Sequence, residues 1–148
     1  MRKYYKFVIA ICAVMLAFAS MTAMPADAAD KTAVKVKVGK KTFNAEFYSN
    51  KTSRKLLRKL PLKLKMSELN GNEKYKYLDF DLPTNEKAVS EIKAGDIMLY
   101  GSDCLVVFYK SFSTSYKYTR IGRIKNVKGL KKAAGKGSVT VKFSKKQA

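Results

Sequence analysis

The chain has 148 residues, with 31 Lys and Arg against 11 Asp and Glu, a formal net charge of +20 and no histidine. That length holds one domain with a modest core, and the missing imidazole excludes Ser-His-Asp and Cys-His nucleophiles and every His-ligated metal site. Two cysteines, Cys12 and Cys104, supply neither a four-thiolate zinc site nor a disulfide framework, and a hydrophobic share of 47% is too high for a disordered chain.

Arg2, Lys3 and Lys6 form a short positive region ahead of an apolar run from Phe7 to Ala19. Ser20 to Ala28 is small and polar, broken by Pro25, and ends in Ala26-Asp27-Ala28. This three-part pattern predicts a secretory signal over residues 1–28, cut after Ala28, and a mature domain over 29–148. The alternative is an uncleaved anchor, but the apolar core falls short of the roughly 18 residues needed to span a bilayer. Cys12, preceded by the bulky Ile11, is a poor lipid-anchor position. Export predicts a secreted or cell-surface protein. Cleavage leaves 28 basic and 10 acidic side chains and Cys104 as a lone thiol in an apolar run, where a small core residue is expected.

Ala33 to Val38 alternates with period two, as a half-buried strand does; Gly39-Lys40-Lys41 supplies a turn, and Thr42 to Tyr48 reads as the returning strand. Asn50 or Thr52 caps a helix that gathers Leu56, Leu57 and Leu60 on one face and stops at Pro61. Leu62 to Met66 alternates again, Asn70-Gly71-Asn72 is turn chemistry, and Lys74 to Tyr77 is a short strand. Asp81 to Gly95 reads as a long surface connection. Ile97–Tyr100 and Leu105–Tyr109 form a second hairpin around Gly101-Ser102-Asp103, and Tyr116 to Ile124 is extended. A brief helix over Val127–Ala134 and a last strand over Val139–Phe143 complete the domain. About eight strands and two short helices predict a mainly β fold, a closed or nearly closed barrel over about 33–143, because closure removes unpaired edges.

Charge is unevenly spread. Residues 77–108 hold six acids (Asp79, Asp81, Glu86, Glu91, Asp96, Asp103) and two bases (Lys87, Lys93), and no acid follows Asp103. The lysines that alternate through 33–38 and 62–66 mark outward faces, which solvation alone would explain. A sharper reading is attachment to a polyanion, and export favours an anionic cell-wall polymer or membrane surface over nucleic acid. Asp79-Phe80-Asp81 is too poor in ligands for a calcium loop, so neither a metal nor a cofactor is expected. Asn50-Lys51-Thr52 fits a glycosylation acceptor but also a helix cap, the preferred reading.

The most distinctive stretch is Tyr109 to Ile124, where aromatics interleave with hydroxyls and bases as along the rim of a ligand groove, or as in cross-strand packing on a sheet. With it, the chain resembles the small bacterial cyclophilin-like domains. Asn50–Leu60 with Pro61-Leu62 is similar to their first helix and next strand, and Gly95-Asp96-Ile97-Met98-Leu99-Tyr100 to a cyclophilin strand that opens with Gly and carries Met. Cys104–Phe108 falls where cyclophilins have a Gln-Phe-Phe strand, Ile121-Gly122-Arg123-Ile124 resembles their Phe-Gly-Lys-Val element, and Val127–Ala133 the helix after it. The resemblance spans roughly 33–143 and implies an eight-stranded barrel capped by two helices.

It also implies an activity whose residues are missing. Cyclophilins carry an Arg, then a Phe and a Gln, on the strands after the first helix, and that Arg polarises the prolyl amide, lowering a barrier of about 18–20 kcal/mol. Met66 to Gly95 contains no Arg, Gln or His. The leading expectation is therefore a secreted module, monomeric, that binds a peptide or small ligand in an aromatic-lined cleft without the isomerase arginine. Tyr100, Phe112, Tyr116 and Arg120 are the candidate site residues, with Met66, Tyr77 and Phe80 as an opposite wall; rings would give apolar contact and Arg120 would orient a carbonyl or carboxylate. No catalytic residue transfers by position. The alternatives are a peptidyl-prolyl cis/trans isomerase of exported proteins, using Arg120 from a neighbouring strand, and a basic wall-adhering protein acting through bulk charge.

Overall fold

A computed structural model describes residues 30–147, so the signal segment expected over 1–28, with its cut after Ala28, lies outside the described residues. Eight strands make the barrel: β1 (Thr32–Val38), β2 (Lys41–Phe47), β3 (Leu62–Leu69), β4 (Glu73–Tyr77), β7 (Asp96–Tyr100), β8 (Cys104–Phe108), β10 (Lys117–Ile124) and β11 (Val139–Lys145). They run antiparallel in the order β2-β1-β11-β3-β4-β8-β7-β10, and β10 returns to β2 through Gly122↔Phe47, Arg123↔Glu46 and Ile124↔Ala45, closing the cylinder. Three two-residue strands lie outside it: β5 (Lys87–Ala88) pairs with the start of β10, and β6 (Glu91–Ile92) pairs with β9 (Phe112–Ser113).

Period two decides what fills the interior. Val34, Val36 and Val38 point inward from β1, as do Phe43, Ala45 and Phe47 from β2, Val141 and Phe143 from β11, Leu105 and Val107 from β8, and Ile97 and Leu99 from β7. Each valine, leucine, isoleucine or phenylalanine among them stabilises the fold by about 1.5–3 kcal/mol relative to exposure. The seam between β2 and β10 demands glycine: a Cβ at Gly122 would sit 2.2 Å from the Glu46 carbonyl oxygen and 2.9 Å from Phe47 Cα. β10 also carries a bulge between Arg120 and Gly122 against β7.

Helix α1 (Lys51–Arg58) is capped by Asn50, whose Oδ1 accepts from the Ser53 N–H at 2.8 Å while its Nδ2 donates to the Arg120 carbonyl at 2.8 Å. Ser53 Oγ donates to the Ile121 carbonyl at 2.8 Å, tying the helix to β10, and Leu56 enters the core. Helix α2 (Leu130–Ala134) starts later than the Val127 expected from sequence, because Gly129, with φ of 82°, breaks the helical path before it. At β4, Lys74 is buried: its Nζ ion-pairs with Glu68 and donates to the carbonyls of Gly135 (3.0 Å) and Gly137 (2.6 Å), anchoring the α2–β11 connection. Glu68 also accepts from the Tyr109 hydroxyl at 2.7 Å. Burial pushes the Glu68 carboxyl up, but hydrogen bonds from Lys74 and Tyr109 and the Lys74 charge hold it below its usual value.

The segment 81–95 differs from the expected surface connection. Leu82 and Ile92 are buried, and β5 and β6 lie over the outer face of the barrel.

Candidate functional site

On most of the barrel the outward positions are polar. On β7, β8 and β10 several of them are not. Met98, Cys104, Val106, Phe108 and Tyr118 form a second apolar layer outside the cylinder, covered by Ile92 and flanked by Val89, Phe112 and Tyr75. Cys104 is therefore buried, as expected, but in this outer layer; burial foremost, then the Asp103 charge, pushes its thiol up to about 11, so it stays protonated and inert as a nucleophile.

Where the cover ends, the layer opens into a cleft of about 560 Å³, the size of a small-ligand or short-peptide site. Its walls are Tyr75 and Tyr77 from β4, Tyr100 at the end of β7, Phe112 to Tyr116 from the loop containing β9, and Tyr118 from β10. Asn70 and Asn72, from the turn between β3 and β4, bring amides to it. Tyr75 and Tyr77 meet edge to face at 6.0 Å between centroids, and so do Tyr100 and Tyr116 at 6.0 Å. Tyr118 links them inward, 5.7 Å from Tyr100 and 5.6 Å from Phe108. Tyr77, Tyr100 and Tyr116 remain 59%, 45% and 61% exposed, an aromatic patch that a solvated surface does not otherwise require.

Glu73 lies on the cleft lining beside Tyr75, only 8% exposed, with no hydrogen bond or ion pair to its carboxyl among the described residues. Burial, reinforced by the nearby Glu68 charge, pushes it up to about 7. Burial likewise pushes the Tyr118 phenol up to about 12.

The candidate residues from sequence divide. Tyr77, Tyr100, Phe112 and Tyr116 come together around this cleft. Met66 does not join them: it shares strand parity with Leu62 and Leu64 and is fully buried in the barrel core. Phe80 packs on the core from outside, with Lys59 Nζ 4.7 Å over its ring. Arg120 stands two residues beyond Tyr118, opposite Met98, and its guanidinium reaches Asp96 at 3.9 Å in a separate hollow with Tyr48, Glu91, Lys93 and Arg123. Among the described residues, no lysine or arginine lines the aromatic cleft. Glu73, Tyr75 and Tyr118 escaped the sequence reading, yet a signal existed: beginning the strand one residue earlier puts Glu73 in phase with Tyr75 and Tyr77.

No curated protein matches the chain. The profile of the cyclophilin-like family matches residues 36–144, from within β1 into β11, which covers nearly all of the barrel. The chain belongs to the cyclophilin-like family.

Proposed function

We infer that the protein is an exported cyclophilin-like module that binds a peptide or small ligand in the aromatic cleft and does not isomerise prolyl bonds. The observation that carries this reading is the convergence of Tyr75, Tyr77, Tyr100, Phe112, Tyr116 and Tyr118 on one cleft that no guanidinium of the described residues lines. Rings supply apolar contact, the Asn70 and Asn72 amides supply orientation, and the electrostatic group that would weaken a prolyl C–N bond is missing from the walls. Glu73, the only carboxyl on the lining among the described residues, offers a prolyl carbonyl no donor when ionised. The N-terminal charge and apolar pattern supports export.

The test pairs an activity assay with NMR titration of a panel of tetrapeptides bearing acidic, basic, apolar and proline side chains. The expected result is saturable shifts of the Tyr100 and Tyr116 ring signals with some of the panel, and no acceleration of cis/trans exchange in an Xaa-Pro peptide at micromolar protein. Acceleration abolished by Arg120→Ala, with the fold intact, would overturn it in favour of an isomerase.

A second reading, compatible with the first, is adhesion to an anionic wall polymer or membrane surface. It rests on the register of β1, β11 and β3, which sets Lys37 opposite Lys142 and Lys142 opposite Lys63. Like charges directly opposite destabilise a sheet, and a polyanion would relieve them. Retention on an anionic matrix should then fade steeply with salt, since screening sets in over about 10 Å at 0.1 M. Retention unchanged by salt counts against it.

A further inference from the structure

We propose that the ligand of the aromatic cleft carries a cationic group, an ammonium held between the tyrosine rings with Glu73 as its counter-ion. This rests on the binding reading above and names the chemistry it selects.

The first argument is the unpaired acid. Bases outnumber acids 31 to 11 in this chain, and its other well-shielded acids have found one: Glu68 pairs with Lys74, Glu46 sits 3.1 Å from Lys31 and 3.8 Å from Lys125, and Asp96 lies 3.9 Å from Arg120. Glu73 is among the most buried carboxyls and has no partner among the described residues, although Lys74 follows it in sequence. Strand alternation sends the Lys74 ammonium to the other face, to Glu68 and the Gly135 and Gly137 carbonyls. A shielded carboxyl with no protein partner costs stability, and since no fully buried side-chain oxygen among the described residues lacks a hydrogen bond, this one meets solvent on its open side, the cleft.

The second argument is the walls. Edge-to-face pairs leave ring planes at right angles, and Tyr75–Tyr77 at 84° and Tyr100–Tyr116 at 83° give two such corners. Rings at right angles around a hollow suit a rounded cation, which the π faces attract while excluding water. A third observation agrees: Asp79, Asp81 and Asp103 lie on the strand ends and turns that flank Tyr77 and Tyr100, within the one acidic stretch of a basic protein.

Ionisation follows. The groups coupled to Glu73 are Glu68 from β3, Tyr109 after β8, Cys104 from β8 and Tyr118 from β10, all neutral near pH 7 except Glu68. A bound ammonium favours the carboxylate, so binding releases a proton and tightens as pH rises through about 7.

The test titrates the protein with choline and with 3,3-dimethylbutan-1-ol, the same shape with carbon replacing nitrogen, reading the tyrosine ring signals by NMR. At pH 8 choline should shift Tyr77, Tyr100 and Tyr116 and bind about tenfold or more tighter than the carbon analogue, a difference of the size expected of a desolvated cation–π site with a counter-ion. The preference should fall several-fold at pH 6, and Glu73→Gln should reduce the preference several-fold and erase its pH dependence. Tyr116→Ala, an exposed position that folding tolerates, should weaken choline binding while leaving the spectrum of the barrel intact. Equal affinity for the two probes, a preference and pH dependence unchanged in Glu73→Gln, or choline silent at 100 mM would each overturn the cationic inference. Equal binding that is lost in Tyr116→Ala would leave the cleft a binding site and remove only its charge selectivity. Silence of every tetrapeptide as well as both probes would remove the binding reading itself.

Discussion

Two opposite halves of the barrel obey the same alternation and end with opposite surfaces. On β1, β11 and β3 the inward residues are apolar and the outward ones are largely lysine, with Lys37, Lys142 and Lys63 in one cross-strand row. On β8 and β7 the inward residues are again apolar, while β4 turns Lys74 inward to Glu68, and the outward ones across β4, β8, β7 and β10 include Tyr75, Val106, Met98 and Tyr118, with the unpaired Glu73 at one end. Both faces carry a local cost: like charges set opposite one another on the first, a desolvated acid and exposed rings on the second. A surface selected for folding alone would swap one lysine for an acid, and would pair Glu73 with a base. The contrast teaches that the cylinder is a scaffold whose two outer faces are specialised separately.

The largest way to break that contrast is to remove the outer apolar layer. Phe108 is fully buried there, 5.8 Å from Phe112 and 5.6 Å from Tyr118. Phe108→Ala should cost about 3–5 kcal/mol, the range for a buried aromatic that leaves a cavity. Urea unfolding checks the number. A cost under about 1 kcal/mol would mean that the layer contributes little to the fold and that β6 and β9 rest on it loosely.

Next comes the acid. Because the folded Glu73 carboxyl sits up at about 7, above its unfolded value of 4.5, the native state holds its proton more tightly. That contribution is fully present below about pH 4.5 and is lost as pH rises through about 7. Glu68 on the neighbouring strand works the other way, since its lowered carboxyl contributes stability that disappears in acid. The difference between wild type and Glu73→Gln isolates the first effect: the variant should gain on the order of 2 kcal/mol over wild type between pH 5 and pH 8. Parallel pH–stability curves for the two proteins would show that Glu73 titrates as an ordinary surface carboxylate.

Much of this architecture was legible beforehand, for a physical reason. Valines at 34, 36 and 38 report their own strand because burial on one face forces the period, and Asn50 reports its helix because an N-cap needs a short side chain with an acceptor. β5, β6 and β9 were illegible, since two residues carry no period and their strand character comes from pairing with distant segments. The cleft was half legible. Tyr100, Phe112 and Tyr116 stand in a stretch dense in rings, whereas Glu73 looked like one more charge among many until its partnerless burial was seen. Met66 belongs to the core rather than to the expected opposite wall, and the sequence carries that signal, because parity with Leu62 and Leu64 sends it indoors. Arg120 has the outward parity of Tyr118, but only coordinates show that Asp96 draws it into the neighbouring hollow.

Relieving the lysine row is a smaller effect. Lys142 lies between Lys37 and Lys63, so Lys142→Glu replaces two like-charge neighbours with two opposite ones. Stability should rise by about 0.2–1 kcal/mol at low salt and the gain should shrink at 1 M salt, as exposed cross-strand pairs do. Salt-sensitive retention on an anionic matrix should weaken in the same variant. A gain without any change in retention would leave the row a tolerated imperfection and remove the specific support for adhesion.

The smallest change in stability belongs to the ring expected to matter most for binding. Tyr116 is 61% exposed and meets Tyr100 by its edge, so Tyr116→Ala should shift stability by less than about 0.5 kcal/mol, as surface substitutions usually do. A folded protein that discards a large exposed ring at almost no cost was not using it to fold, and the same variant should lose cleft binding. Should Tyr116→Ala instead unfold the protein in the manner of Phe108→Ala, the ring belongs to the packed layer, and the cleft as drawn would be the outer rim of the core.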